Sequence, residues 1–159
     1  ICLIAPRNPE SFWTLDRILP SLAKRSVFPN LALPTLAALT PVEHQVRLLD
    51  ENVEAIDFDL DADIVGLTGY VVHRARLFEI ADELRARGKF VVIGGPYASL
   101  CPEEVRPHCD VLFVDEAEYT WPRFLRDFAA GDWQPEYRQQ EKPSLADSPV
   151  PRFDLLRHH

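Results

Sequence analysis

The chain has 159 residues, 47% of them apolar and 26% charged, which is the composition of one globular domain able to bury its own core without metal or disulfide staples. A formal net charge of −8 argues against a nucleic-acid or anionic-membrane partner, since neither is attracted by an acidic body. Three cysteines, Cys2, Cys101 and Cys109, cannot all pair, and no apolar run approaches the length of a membrane span. No signal peptide is visible, so a reducing cytoplasm is the expected compartment. The missing initiator methionine and the ending Arg157-His158-His159 suggest a piece of a longer polypeptide, with the two histidines as tag remnants.

In chain order, residues 1–5 form an unbroken apolar run that suits a strand buried on both faces. Pro6 and Pro9 then impose a loop over 6–13, and a helix over 14–24 would group Leu15, Ile18, Leu19 and Leu22, interrupted at Pro20. A turn at 28–31 leads to a short apolar segment of helical spacing over 33–39. Residues 45–50 read as the second strand. The alternating aspartates of 57–63 lack the glycine and terminal glutamate of a calcium loop, and predict a solvated connection. Residues 64–67 are the third strand. Leu77, Ile80, Ala81 and Leu84 then repeat at helical spacing over 74–87, beside Arg74, Arg76, Arg85 and Arg87 on a solvated face, and Gly88 stops the helix. A fourth strand over 89–93, a short helix over 102–106 and a fifth strand over 111–114 follow. Thr120 is placed to cap a helix carrying Trp121, Phe124, Leu125 and Phe128, closed by Gly131. Beyond Trp133 the periodicity ends among Pro135, Pro143, Pro149 and Pro151, as in a linker or wrapping tail.

Strands alternating with helices predict a three-layer α/β domain, flavodoxin-like or Rossmann-like, with a five-stranded parallel sheet of order 2-1-3-4-5 over residues 1–132 and a proline-rich linker over 133–159. Right-handed crossovers bring the loops after the strands to one edge of the sheet, where such folds take ligands. Those loops carry Thr68-Gly69-Tyr70, Gly94-Gly95-Pro96-Tyr97 and Asp115-Glu116-Ala117-Glu118.

Several common tenants of the fold are missing. There is no G-x-G-x-x-G after the first strand, no P-loop, no receiver-type aspartate ending the third strand, and no hydroxyl-rich phosphate loop. What remains is a threonine-glycine pair and two adjacent glycines, which let a flat ligand approach the backbone while a hydroxyl meets a heteroatom. A tight turn and a satisfied loop hydroxyl explain the same residues equally well. Cys101, Cys109 and His108 lack the paired spacing of a structural zinc site, and His73 at a helix start reads as a cap or surface residue.

Six stretches, PNLALPTLAALTP (29–41), VRLLDENV (46–53), ADIVGLTG (62–69), IADELRARGKFVVIGGPYAS (80–99), DEAEYTWPRFLRDFAAG (115–131) and SPVPRFDLL (148–156), resemble in order and spacing the N-terminal cobalamin (B12)-binding domain of B12-dependent radical SAM methyltransferases. The opening PRNPESFW (6–13) resembles a subgroup that includes hopanoid methylases. The resemblance implies that cobalamin is held base-off, its benzimidazole tail beside Thr68, Gly69 and Tyr70, passing Gly94 and Gly95, with Pro96 and Tyr97 against the tail or corrin rim. Asp115 and Glu116 stand where the family often has Gly-Glu, so Asp115 is a departure. The D-x-H-x-x-G of many B12 domains is absent, which implies water, nothing, or a noncoordinating neighbour such as Arg7 or Asn8 below cobalt. The C-x3-C-x2-C that ligates a [4Fe–4S] cluster and cleaves S-adenosylmethionine cannot be formed by these cysteines. The implied partner is therefore a radical SAM domain of the same polypeptide, beyond 133–159, acting on a small-molecule substrate. The competing expectation is a cofactor-free α/β interaction or regulatory domain.

Overall fold

The computed structural model describes residues 1–11, 14–15, 18–24, 30–144, 146 and 148–156. The chain forms β1 (Cys2–Ala5), α1 (Ala32–Leu39), β2 (Arg47–Asp50), β3 (Ile64–Thr68), α2 (Arg74–Ala86), β4 (Phe90–Gly94), α3 (Pro96–Leu100), α4 (Pro102–Val105), β5 (Val111–Val114), α5 (Thr120–Ala130) and β6 (Glu136–Arg138). All strand pairs are parallel and the order is β2-β1-β3-β4-β5-β6. The expected 2-1-3-4-5 order is present, extended by one strand.

Alternation along the buried strands builds two cores. Cys2 and Ile4, Val65 and Leu67, Val91 and Ile93, and Leu112 and Val114 point to one face, where Leu77, Ile80, Ala81 and Leu84 of α2 and Val105 of α4 cover them. Leu3, Ile64, Val92, Val111 and Phe113 point to the other, beneath Leu33 and Ala37 of α1 and Trp121, Phe124 and Leu125 of α5. Burial pushes the Cys2 thiol up to about 11 and the Cys109 thiol up to about 12, so both stay protonated as core groups. His108 is engaged by Asp82 at 2.7 Å and stacks on Phe78.

The sequence expectation needs correction at several points. The sheet has six strands, because β6 lies in the segment expected to be linker. Its single core residue, Tyr137, stacks on Phe113 at 5.4 Å between centroids and donates its hydroxyl to Asp127 at 2.7 Å. The backbone joins through Leu112 N–H to Pro135 O and Gln139 N–H to Val114 O, 3.0 and 3.2 Å. The Gly94–Tyr97 segment is no open loop, since Pro96 begins α3 directly after Gly95. Thr120 is the first helical residue rather than the cap, and Tyr119 precedes it. The tail turns back onto α1 through Arg152 N–H to Pro34 O, 3.0 Å. The helix expected over 14–24 and the turn over 28–31 fall partly outside the described residues; within them, Leu19–Leu22 forms a short 3-10 turn. Among the described residues no helix is long and apolar enough to cross a membrane.

Candidate functional site: an apolar slot at the carboxyl edge

The slot arises from what period two places on the α1/α5 face of the sheet. Leu3 pairs in register with Gly66, Gly66 with Val92, and Thr68 with Gly94. Gly66 lies inside a strand, and a Cβ there would come 2.6 Å from Leu3 Cδ2 and 3.6 Å from Val92 Cγ2. Its missing side chain thus lowers the floor between two large neighbours. At Gly94 a Cβ would stand 3.0 Å from Phe113 Cβ. Gly95 has φ +92°, and a Cβ would lie 2.2 Å from Thr68 Oγ1. That position therefore demands glycine on conformational and steric grounds together.

Above this floor, Leu33, Leu36 and Leu39 of α1 and Trp121 of α5 leave a pocket of about 340 Å³, bounded on one side by residues 115–118. The roof is tied together where Trp121 Nε1–H donates to Thr40 Oγ1 at 2.9 Å and the Thr40 hydroxyl donates to Leu36 O at 2.7 Å. The side chains of the floor and roof are apolar apart from Thr35, whose hydroxyl is spent on Leu31 O at 2.9 Å, and Thr68, while Asp115, Glu116 and Glu118 complete the lining. Thr68 is 5% exposed, and no hydrogen bond reaches its hydroxyl among the described residues. A nearly buried hydroxyl opening onto an apolar slot is a group waiting for a partner.

The acids stand at the edge, past the end of β5. Asp115 has φ +67°, a left-handed conformation in a residue with a side chain. Its N–H donates to Ser99 Oγ at 2.8 Å, and Ser99 Oγ–H donates to Gly95 O at 3.1 Å, so one hydroxyl joins the loops after β4 and β5. The Asp115 carboxylate lies 3.7 Å from Arg138. Glu118 accepts from Ala117 N–H at 3.1 Å.

Beside the slot, the loop after β1 is held by the loops after β2 and β3. Arg7 N–H donates to Glu51 at 3.0 Å, Asn8 N–H to Asn52 Oδ1 at 2.8 Å, and Asn52 N–H to Asp50 Oδ1 at 2.9 Å. The Arg76 guanidinium grips Glu51, whose side chain is 7% exposed. Burial works against the Glu51 carboxylate, but the hydrogen bonds from Arg76 and from the Arg7 backbone outweigh it, and its pKa falls below the usual carboxylate value. His73 Nδ1 accepts from Tyr70 N–H at 3.0 Å, which leaves the proton on Nε2 to be donated to Asn8 Oδ1 at 2.8 Å. Burial lowers the His73 pKa, partly offset by the Asp50 charge, and keeps the ring neutral.

Of the residues singled out in the sequence, Thr68, Gly94, Gly95, Asp115 and Glu116 line the slot together. Gly69 is the next residue in the chain, and its carbonyl accepts from Tyr97 N–H at 3.1 Å. Arg7 and Asn8 lie in the β1 loop network and do not line the slot; Tyr70 is 56% exposed, and Pro96 is the exposed start of α3. Tyr97 is directed into the core of the opposite face, its hydroxyl donating to Glu104 at 2.9 Å, so its side chain is no part of the slot wall. Sequence reasoning missed the floor and roof. Gly66 carried a readable signal, since an isolated glycine inside a strand marks a close approach. Leu36, Leu39, Phe113 and Trp121 carried none, because lining and core residues share one pattern.

Fold and pocket together define a parallel α/β domain with a ligand-sized apolar slot at the carboxyl edge of its sheet. No family profile matches the chain. The proteins it resembles are methyltransferases. It is 37% identical over 157 residues to an uncharacterized methyltransferase of Synechocystis sp., covering 97% of the chain and 29% of that protein. It is 40% identical over 117 residues to the bacteriochlorophyllide d C-8(2)-methyltransferase of Chlorobaculum tepidum, covering 73% and 26%. It is 27% identical over 162 residues to the hopanoid C-2 methylase of Rhodopseudomonas palustris, covering 98% and 31%. The chain spans less than a third of the length of each of these relatives.

Proposed function

We propose that this domain binds cobalamin base-off and presents it to a radical SAM domain of the same polypeptide for methyl transfer to an unactivated carbon of a small-molecule substrate. The observation that carries the reading is the apolar slot walled by Gly66, Gly94 and Gly95, with the unpartnered Thr68 hydroxyl opening into it. These residues fit the benzimidazole tail, which is flat and apolar and has one ring nitrogen to satisfy. The glycines would let the tail meet the backbone, Thr68 would donate to the nitrogen, and α1 with Trp121 would exclude water. Bound cobalamin supplies the methyl group; the [4Fe–4S] cluster and S-adenosylmethionine belong to the further domain. The neutral His73 ring has both nitrogens engaged, by Tyr70 N–H and Asn8, so it would offer no free nitrogen to a bound cobamide.

The test is titration of the full-length protein with hydroxocobalamin and methylcobalamin, desalting, and absorbance. Retained corrin with a base-off spectrum, lost in Gly94→Val, supports the reading. Failure of the full-length protein to retain any corrin refutes it and leaves the cofactor-free interaction domain.

A further inference from the structure

We infer that the slot selects its cobamide by the lower base, taking a benzimidazole and disfavouring a purine. This rests on the cobalamin reading above. The slot floor is the row Leu3, Gly66 and Val92, completed by Phe113, and these side chains offer neither a donor nor an acceptor. In the roof the Trp121 N–H is committed to Thr40, and the Thr35 hydroxyl to Leu31 O. Among the described residues the Thr68 hydroxyl is thus the single unspent polar side-chain group of the floor and roof, which matches a benzimidazole with its one free ring nitrogen. A purine of the adenine type brings an exocyclic amine and two nitrogens in its six-membered ring, and the floor has no partner for them. The acids do not stand on the floor: Asp115, Glu116 and Glu118 follow the end of β5 and line the slot at its edge, with Asp115 exposed and paired with Arg138.

A hydrophobic pocket rejects an added polar group by roughly tenfold to a hundredfold, and that is the expected preference. The experiment is equilibrium binding by the full-length protein of cobalamin, of a cobamide with adenine as lower base, and of cobinamide, which has no base. Cobalamin binding base-off and at least tenfold tighter than either of the others supports the inference. Equal affinity for the two cobamides, tighter binding of the adenine form, or cobinamide binding as well as cobalamin overturns it while leaving the cofactor reading intact. Binding of none of the three overturns the cofactor reading itself. Val92→Thr adds a hydroxyl to the floor at nearly constant volume and is expected to narrow the preference several-fold. An unchanged preference in a variant that still binds cobalamin overturns the assignment of selection to the floor.

Discussion

Replacing Gly95 by alanine tests the wall of the slot independently of any ligand. The residue sits at φ +92°, ψ −172°, a region open essentially to glycine alone, and a side chain held there costs about 1–3 kcal/mol. The new methyl would also lie 2.2 Å from Thr68 Oγ1, well inside contact distance, with Gly69 N at 3.6 Å on the same side. Thr68 is 5% exposed and β-branched, so its hydroxyl cannot swing away freely, and relieving the overlap adds about 1 kcal/mol or more. A loss of about 2–4 kcal/mol is a large share of the about 5–15 kcal/mol that a domain commands. It lowers Tm by roughly 4–16 °C for a chain of this size. The assay is reversible thermal or urea unfolding of parent, Gly95→Ala, Thr68→Ala and the double variant. Removing Oγ1 lifts the clash but leaves the backbone strain, so the double variant is expected to recover about 1 kcal/mol relative to additivity. A Gly95→Ala protein that melts within a degree of the parent refutes the argument, and strict additivity refutes its steric half.

Asp115→Gly removes the cost of a left-handed residue, about 1–2 kcal/mol, less the about 0.4–1 kcal/mol that glycine returns to the unfolded chain; a rise in Tm of about 1–3 °C is expected, with a smaller rise for Asp115→Asn. The lowered pKa of His73 means that its neutral form is favoured in the fold. Its contribution is fully present above the unfolded value of 6.5 and is lost as pH falls through the folded pKa, so urea midpoints should drop from pH 7 toward pH 5 in the parent and flatten in His73→Gln. Glu51 acts lower on the scale: its contribution is present above 4.5 and lost as pH falls through its depressed folded pKa, so Glu51→Gln flattens the acid limb of the same titration. Tyr137→Ala empties the one buried position of β6 and is expected to cost about 3–5 kcal/mol, read as a lower urea midpoint together with early amide exchange at Leu112 and Gln139.

The parallel sheet and the edge that bears the slot were legible because both depend on local pattern. Apolar runs such as 111–114, set against the helical spacing of Leu77, Ile80, Ala81 and Leu84, can be read without knowing any distant contact. Thr68, Gly94, Gly95, Asp115 and Glu116 followed from topology alone, since parallel strands deliver their carboxyl ends to one place. The sixth strand was illegible: Glu-Tyr-Arg shows one period of alternation between prolines, and its stability comes from Phe113 and Phe124, which lie far from it in sequence. Tyr97 was misdirected for a similar reason. Treated as an open loop, its segment could aim the ring anywhere, but once Pro96 begins a helix the geometry turns the next side chain into the core beside Phe78. The roof could not be inferred from sequence, because which face of α1 meets Trp121 is fixed by a hydrogen bond between residues 40 and 121.

The bond from Arg152 N–H to Pro34 O fastens the tail to the first turn of α1, while the other end of that helix, at Thr40, is pinned by Trp121. Leu155 and Leu156 of the tail pack on the same apolar cluster as Leu33 and Ala37 of α1 and Leu3 and Leu48 of the sheet, so whatever loosens the tail reaches the roof and the floor of the slot through shared packing.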